Sequence, residues 1–252
     1  MPGRLIPVVI LLAALKASPQ GQSRSEIPVP FHVGEVLTYD VTWSSLTAGT
    51  ATLTVKDRRP IAHGGLAYDI VGEGKLTGLF DQLYHVYYKA ESLLDTRALQ
   101  PSIFTVYSDE RGRTTLRTTR FLSSTSVEYE PTASAPPVKY SIPALSQDPL
   151  SAIYVMRAIA FKPGQVLVMP VVDGSDVYNA KWLVSAPETV TTGLGAISAW
   201  RLTPTLVDAR GKPITNRQAT IWMSDDARRL PVKLQAALGV GSVSLTLVRT
   251  SG

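Results

Sequence analysis

The chain contains no cysteine in its 252 residues. This excludes disulfides, thiol nucleophiles and thiolate metal sets, and also the lipid-modified cysteine of a bacterial lipoprotein. Histidine is almost as scarce. His32, His63 and His85 are the three present, and no two stand at a metal-ligand spacing. No metal and no cofactor is therefore expected. Charged residues make up 18% of the chain, and the basic ones are scattered apart from short clusters at 111–120 and 228–229. Nucleic-acid binding needs a more concentrated patch and is not expected. No G-x-S-x-G elbow, phosphate-cradling glycine loop or H-E-x-x-H helix occurs. No catalytic residue is nominated, although a serine–histidine–acid set dispersed along the chain remains open.

Long apolar runs are also lacking, except near the start. Arg4 precedes a run over residues 5–15 broken only by Pro7, and Ala17 follows with a small side chain. That is the plan of a secretory signal peptide, too short to span a bilayer as a stable helix. The reading assigns 1–17 to the signal, with a cut as late as 25, and 18–30 to a polar, proline-containing linker. A cut after Ala17 removes Arg4 and Lys16 and no acid, leaving a weakly basic mature protein. The expected location is exported, periplasmic or extracellular, and without a lipid anchor. No later segment is apolar enough for a transmembrane helix. Residues 31–250 are expected to form a single β domain, with enough apolar content (44% of the chain) for a core that needs no covalent staple.

Within that domain the dominant signal has a period of two. Leu37, Tyr39, Val41 and Trp43 alternate with Thr38, Asp40 and Thr42, and Ala51, Leu53 and Val55 alternate with threonines and Lys56. Such alternation marks strands with one buried and one wet face. Comparable segments follow at 66–71, 83–92, 102–107, 114–122 and 126–130, then at 166–172, 177–184, 196–206, 214–223, 230–236 and 240–248. Hairpin-length connections and the absence of crossover helices predict a mainly β fold. Its form is an antiparallel meander making a barrel or strongly curved sheet. One helix interrupts it. Asp148-Pro149 reads as an N-cap with proline at the first helical position, opening a central apolar helix at about 149–160. It either plugs or lids the concave face, or packs at the sheet edge. If enclosed, it should leave Ile153 and Tyr154 inaccessible.

Four residues stand out as ligand-binding candidates: Tyr154, Arg157, Tyr87 and Trp222. Arg157 is a cation on an otherwise apolar helix, so it must be paired or reach water. An anionic headgroup and an internal carboxylate are the two partners to weigh, and the internal carboxylate is the simpler. Tyr84, Tyr87 and Tyr88 put rings on both faces of one strand, while Tyr39, Trp43, Trp182, Trp200 and Trp222 are dispersed. An aromatic-lined groove would look like this, and so would a well-filled core. Ser224-Asp225-Asp226, followed by Arg228 and Arg229, suits a turn whose acids are neutralised locally; it offers too few oxygens for a calcium loop. Pro231 just beyond it implies an edge or a bulge.

The segment from Pro30 to Trp43 with Ala48-Gly49, Asp148-Pro149-Leu150-Ser151-Ala152 with Tyr154 and Arg157, Gly164, and the hairpin from Ile221-Trp222 to Pro231-Val232 together resemble the bacterial family known as domain of unknown function 3108. The resemblance runs in consistent order over about 31–248. It implies an exported, mostly β protein of envelope-bearing bacteria, and carries no catalytic residues. The expected function is a non-enzymatic binder or carrier of a lipidic or amphipathic envelope molecule. A structural or interaction protein of the envelope is the alternative, and an envelope-polymer hydrolase is a second. The oligomeric state is not legible.

Overall fold

The computed structural model describes residues 25–62, 64–208, 210–215, 219–238 and 241–252. The expected signal segment, the first part of the linker and His63 lie outside the described residues. The chain is mainly β, and fifteen strands form one antiparallel sheet. Eight come first: β1 (Val36–Trp43), β2 (Leu46–Pro60), β3 (Leu66–Leu76), β4 (Val86–Asp95), β5 (Pro101–Glu110), β6 (Arg113–Ser123), β7 (Ser126–Glu130) and β8 (Val138–Ser141). Helix α1 (Gly78–Leu83) lies between β3 and β4, and α2 (Pro149–Arg157) follows β8. Seven strands complete the chain: β9 (Val166–Asp173), β10 (Asp176–Thr192), β11 (Gly195–Asp208), β12 (Pro213–Ile214), β13 (Ala219–Ser224), β14 (Pro231–Leu238) and β15 (Gly241–Ser251).

In space the first eight strands run outward from β1 as a simple meander, and the last seven run outward from β15 in the other direction. The β1–β15 pair joins the two halves, Val36 opposite Ser251 and Trp43 opposite Val243. The far edges, β8 and β9, do not pair as strands, so no continuous ladder closes the sheet. Side chains meet there instead. Val127, Ile142 and Val172 form a small buried cluster with Tyr140 and Val177, and the Tyr140 hydroxyl donates to the Gly174 carbonyl. Gln147 adds one parallel bridge, donating to the Pro170 carbonyl at 2.9 Å and accepting from the Val172 amide at 2.8 Å.

Alternation places the apolar residues as expected. Leu37 and Tyr39, Val55, Ile70, Leu94 and Phe104 are buried. They belong to two clusters, the larger of which includes most of α2. The helix is built by its first turn: Asp148 accepts from the amides of Leu150 and Ser151, both at 2.8 Å, while the Ser151 hydroxyl accepts from the Asp148 amide at 3.0 Å. This is a capping box with proline behind the cap. The helix stops at Arg157, three residues short of the expected end. Ala158 and Ile159 donate to Val155 and Met156, bonds that tighten the last turn instead of continuing it. It packs against β3, β4 and β9. Tyr154 is fully buried, whereas Ile153 keeps partial exposure.

Three further expectations need correction. Among the described residues two helices are present rather than one, and α1 ends on Leu83, where the strand at 83–92 was expected to begin. Its six residues are too few to show a helical period. Strand β8 was not anticipated; it is four residues long and follows Pro136-Pro137. The segment expected at 214–223 divides into β12 and β13, which both pair with β11. Pro231 does sit at a bulge, where the register slips between Trp222 and Met223.

Candidate functional site

Arg157 and Tyr154 sit at a buried junction of three parts of the chain. Arg157 is 0% exposed, and its guanidinium grips Glu35 with both forks, Nη1 to Oε1 at 2.5 Å and Nη2 to Oε2 at 2.8 Å. It also donates to the carbonyls of Arg228 at 3.3 Å and Pro30 at 3.4 Å. The rings of Phe31 and Tyr154 flank it, each with its centroid 5.3 Å away. In return Arg229 donates to the Arg157 carbonyl at 3.2 Å, placing a cation at the helix C-terminus where the dipole favours one. The internal carboxylate is thus Glu35, on the segment entering β1. A bidentate, fully paired arginine tied to the N-terminal segment, α2 and the β13–β14 turn fastens the fold together. Burial raises the phenols of Tyr154 and Tyr39 well above their usual range, so both stay protonated. Tyr39 donates to the Pro231 carbonyl at 2.8 Å. The Tyr154 hydroxyl has no partner among the described residues.

The acidic turn is occupied by local bonds. Asp226 accepts from the Ser224 hydroxyl, the amides of Arg228 and Arg229, and the Arg228 guanidinium, all between 2.8 and 3.1 Å. Asp225 accepts from the Trp200 indole at 2.7 Å. The two carboxylates thus serve different elements.

Tyr87 and Trp222 lie apart from this junction and from each other. Tyr87 faces outward from β4 and donates to Glu73 at 2.9 Å. It borders an open cleft of about 480 Å³ under α1, with Lys75, Thr77, Asp81, His85 and Asp109. His85 Nδ1 lies 2.8 Å from Asp81, and its Nε2 faces Asp109 at 3.9 Å, so carboxylates engage both sides of the ring. Trp222 is buried; its indole donates to Glu188 at 2.6 Å and Lys233 covers the ring at 5.1 Å. Of the four candidates, only Tyr154 and Arg157 are brought together.

A second surface emerges from the strand registers. The inner face of the sheet is the one that meets α2, as Ser92 shows by donating to Asp148 at 2.7 Å. On β1, β4, β14 and β15 burial along this face fades from one end to the other, whereas β2 keeps Ala51 and Gly49 buried and β5 keeps Ser108 buried. On β1 it runs from buried Leu37 and Tyr39 through partly buried Val41 to Trp43, 39% exposed. On β15 Leu247 is buried while Leu245 and Val243 are partly exposed; on β14 Val232 is buried while Leu234 and Ala236 are not. On β4 the sequence is Leu94 and Ser92 buried, Ala90 partly exposed, and Tyr88 41% exposed. The α2 end is therefore filled, and at the opposite end these four strands present partly exposed apolar side chains. At its rim stands α1, which buries none of its residues; Leu79 is 66% and Leu83 70% exposed. Phe80 leans edge-on against Trp43 with centroids 6.1 Å apart.

Sequence reasoning singled out Tyr87 rather than Tyr88. Neighbouring residues of a strand point to opposite faces, but nothing local says which face is the inner one. Long-range register supplies that, since Tyr88 lies opposite Gly74 and in phase with Ala90 and Ser92. Glu35 was missed for a related reason: its partner is 122 residues away.

A single wide antiparallel sheet, curled until its edges touch and carrying a buried helix, defines a barrel-like β protein. Residues 38–248 match the family described as Protein of unknown function (DUF3108), and the chain belongs to that family. Its fold is similar to that of a beta-barrel-like protein of domain of unknown function DUF1849 from Brucella abortus. That likeness has a TM-score of 0.54 and 13% identity, over 87% of this chain and 97% of the other. A protein with a YmcC-like fold from Bacteroides fragilis is less alike, with a TM-score of 0.32 and 9% identity over 90% and 100% of the two chains. Among curated proteins none matches this chain. No helix among the described residues is long and apolar enough to cross a membrane.

Proposed function

We propose that this protein is a non-enzymatic binder of a lipidic or amphipathic molecule of the bacterial cell envelope, and that the molecule lies on the open end of the inner face. In this reading the chain is exported, with 1–17 removed as a signal peptide, and residues 31–250 act as one barrel-like domain in the periplasm or outside the cell. Helix α2 serves as the central apolar plug that closes the other end. The observation that supports it is the graded burial of the inner face on β1, β4, β14 and β15. Apolar side chains that would bury more surface in a complex stay partly wet, which is unfavourable unless something covers them. Tyr154 and Arg157 then act by holding the plug, and Tyr88 and Trp43 belong to the binding surface.

The test is to purify the protein from its own host under mild conditions and analyse what is extracted from it by mass spectrometry. A stoichiometric amphiphile is the expected outcome. Recovery of none, together with no binding of a neutral apolar dye to the same preparation, refutes the reading. The structural or interaction alternative draws on the exposed Leu79 and Leu83 of α1, which would suit a protein partner. A stable complex recovered from the envelope in place of a lipid, and lost on Leu79→Ser with Leu83→Ser, would favour it.

A further inference from the structure

On the open inner face Arg113, Arg117 and Glu110 make no ion pair to a described residue. Arg117 of β6 lies directly across from Val106, which lies across from Ala90, which lies across from Gly72. Its phase on the strand is that of buried Thr119 and of Phe121, which packs against the core, so it belongs to the inner face. Arg117 is partly buried, yet it makes no hydrogen bond or ion pair to any described residue. Arg113, on the same face and nearer the rim, is exposed and likewise unpaired. Glu110 is the cross-strand neighbour of Arg113 and forms an ion pair with neither arginine.

A charged group is costly to enclose without a partner, so Arg117, partly buried beside apolar surface and making no ion pair to a described residue, is placed to receive an anion. The surface next to it is a strip of small residues between larger ones. Gly74 and Ala90 lie along it, with Ala51 and Tyr88 across from Gly74 and with Gly72 and Val106 across from Ala90. A Cβ added at Gly74 would meet only the Ala51 methyl, at 3.9 Å, whereas one at Gly72 would meet Leu53 at 3.3 Å and Leu150 at 3.5 Å, so the strip is clear at Gly74 and covered where α2 begins. Strand spacing puts the Arg117 backbone about 5 Å from that of Val106 and about 10 Å from that of Ala90. The side chain can therefore cap one end of a linear ligand lying on the strip.

Resting on the binding reading above, we propose that the ligand is a single acyl chain with an anionic carboxylate head, the chain on the Gly74–Ala90 strip and the head held by Arg117, with Arg113 reinforcing it at the rim. The planar fork of Arg117 accepts a carboxylate in two parallel hydrogen bonds, and the apolar walls exclude water from that pair.

The test uses the purified protein and N-phenyl-1-naphthylamine, a neutral fluorescent probe. Oleate and oleyl alcohol, which share one chain and differ in head charge, serve as competitors below their aggregation limits. The expected result is that oleate displaces the probe at a concentration about tenfold lower than the alcohol, an advantage equal to about 1.4 kcal/mol. Arg117→Gln should cut that advantage to less than about threefold, while Arg117→Lys should keep part of it. Ala90→Phe, which fills the strip, should weaken probe and competitors alike. If the glutamine variant does not fold, raising salt from about 50 mM to about 500 mM with the native protein should shrink the advantage of oleate and spare the probe. Equal potency of the two competitors, or an undiminished preference in Arg117→Gln, overturns the headgroup assignment while the binding reading survives. Failure of the probe to bind at all overturns both.

Discussion

Removing the Arg157 side chain would leave the Glu35 carboxylate buried without its cation. Arg157→Ala should therefore destabilise the fold by about 3–5 kcal/mol in urea titration, whereas Arg157→Met combined with Glu35→Leu should recover most of that loss. A ligand-anchoring arginine would instead lose binding with little change in stability. Tyr154 offers the opposite case. Its hydroxyl is buried with no hydrogen-bond partner among the described residues, so Tyr154→Phe should be neutral or stabilising by up to about 1 kcal/mol, measured in the same way. Asp148 connects one residue to pH. Burial outweighs its hydrogen bonds and raises its carboxyl to about 6. With a folded value above the unfolded one, the native state holds the proton more tightly. Asp148 therefore contributes more stability at low pH, and that contribution is lost as pH rises from about 4 to about 6, by about 2–3 kcal/mol. Asp148→Asn keeps an oxygen for the cap and does not titrate. The stability difference between native and variant protein should accordingly change across that window and be flat above it.

At the scale of elements, the turn between β13 and β14 acts through backbone and indole bonds. Asp225→Asn with Asp226→Asn should cost about 1–2 kcal/mol through weakened hydrogen bonds. Metal content of the purified protein should not change; loss of a bound divalent ion in that variant would contradict the turn assignment. The same scale shows where the sequence was readable. Alternation at 37–43 and 50–56 located β1 and β2, and Asp148-Pro149 located the start of α2, because each signal is contained in a few neighbouring residues. The end of α2 was not readable, since Arg157 stops there to meet Glu35 and the Arg228 carbonyl, contacts made by distant segments. β8 pairs only with β7 and owes its place to Tyr140 and Ile142 reaching across the seam. The open inner face was hidden for a similar reason: alternation along 86–95 separates Tyr87 from Tyr88, but the inner side is defined only when α2 lies against it.

For the molecule as a whole, two different closures act on one sheet. At the centre, β1 and β15 join through main-chain hydrogen bonds; at the seam, side chains and the single Gln147 bridge hold β8 and β9 together. Removal of residues 241–252, which carry the whole of β15, should abolish cooperative unfolding because the two halves of the sheet lose their shared partner. A truncated chain that still showed a single sharp thermal transition would mean that core contacts through α2 suffice to join them.

The central position of the β1–β15 pair also fixes a schedule. A chain that is made or threaded from its N-terminus delivers β1 first and its partner last, so β1 must wait through almost the whole length with one hydrogen-bonding edge bare. The β1–β8 meander can form early from local hairpins, but β9–β14 have no seat on it until the final strand arrives. During that interval the exposed edge and the unfilled inner face are open to wrong partners, including other copies of the same chain. Yield of native protein should therefore depend on how soon β15 becomes available after β1, and on whatever shields β1 until then.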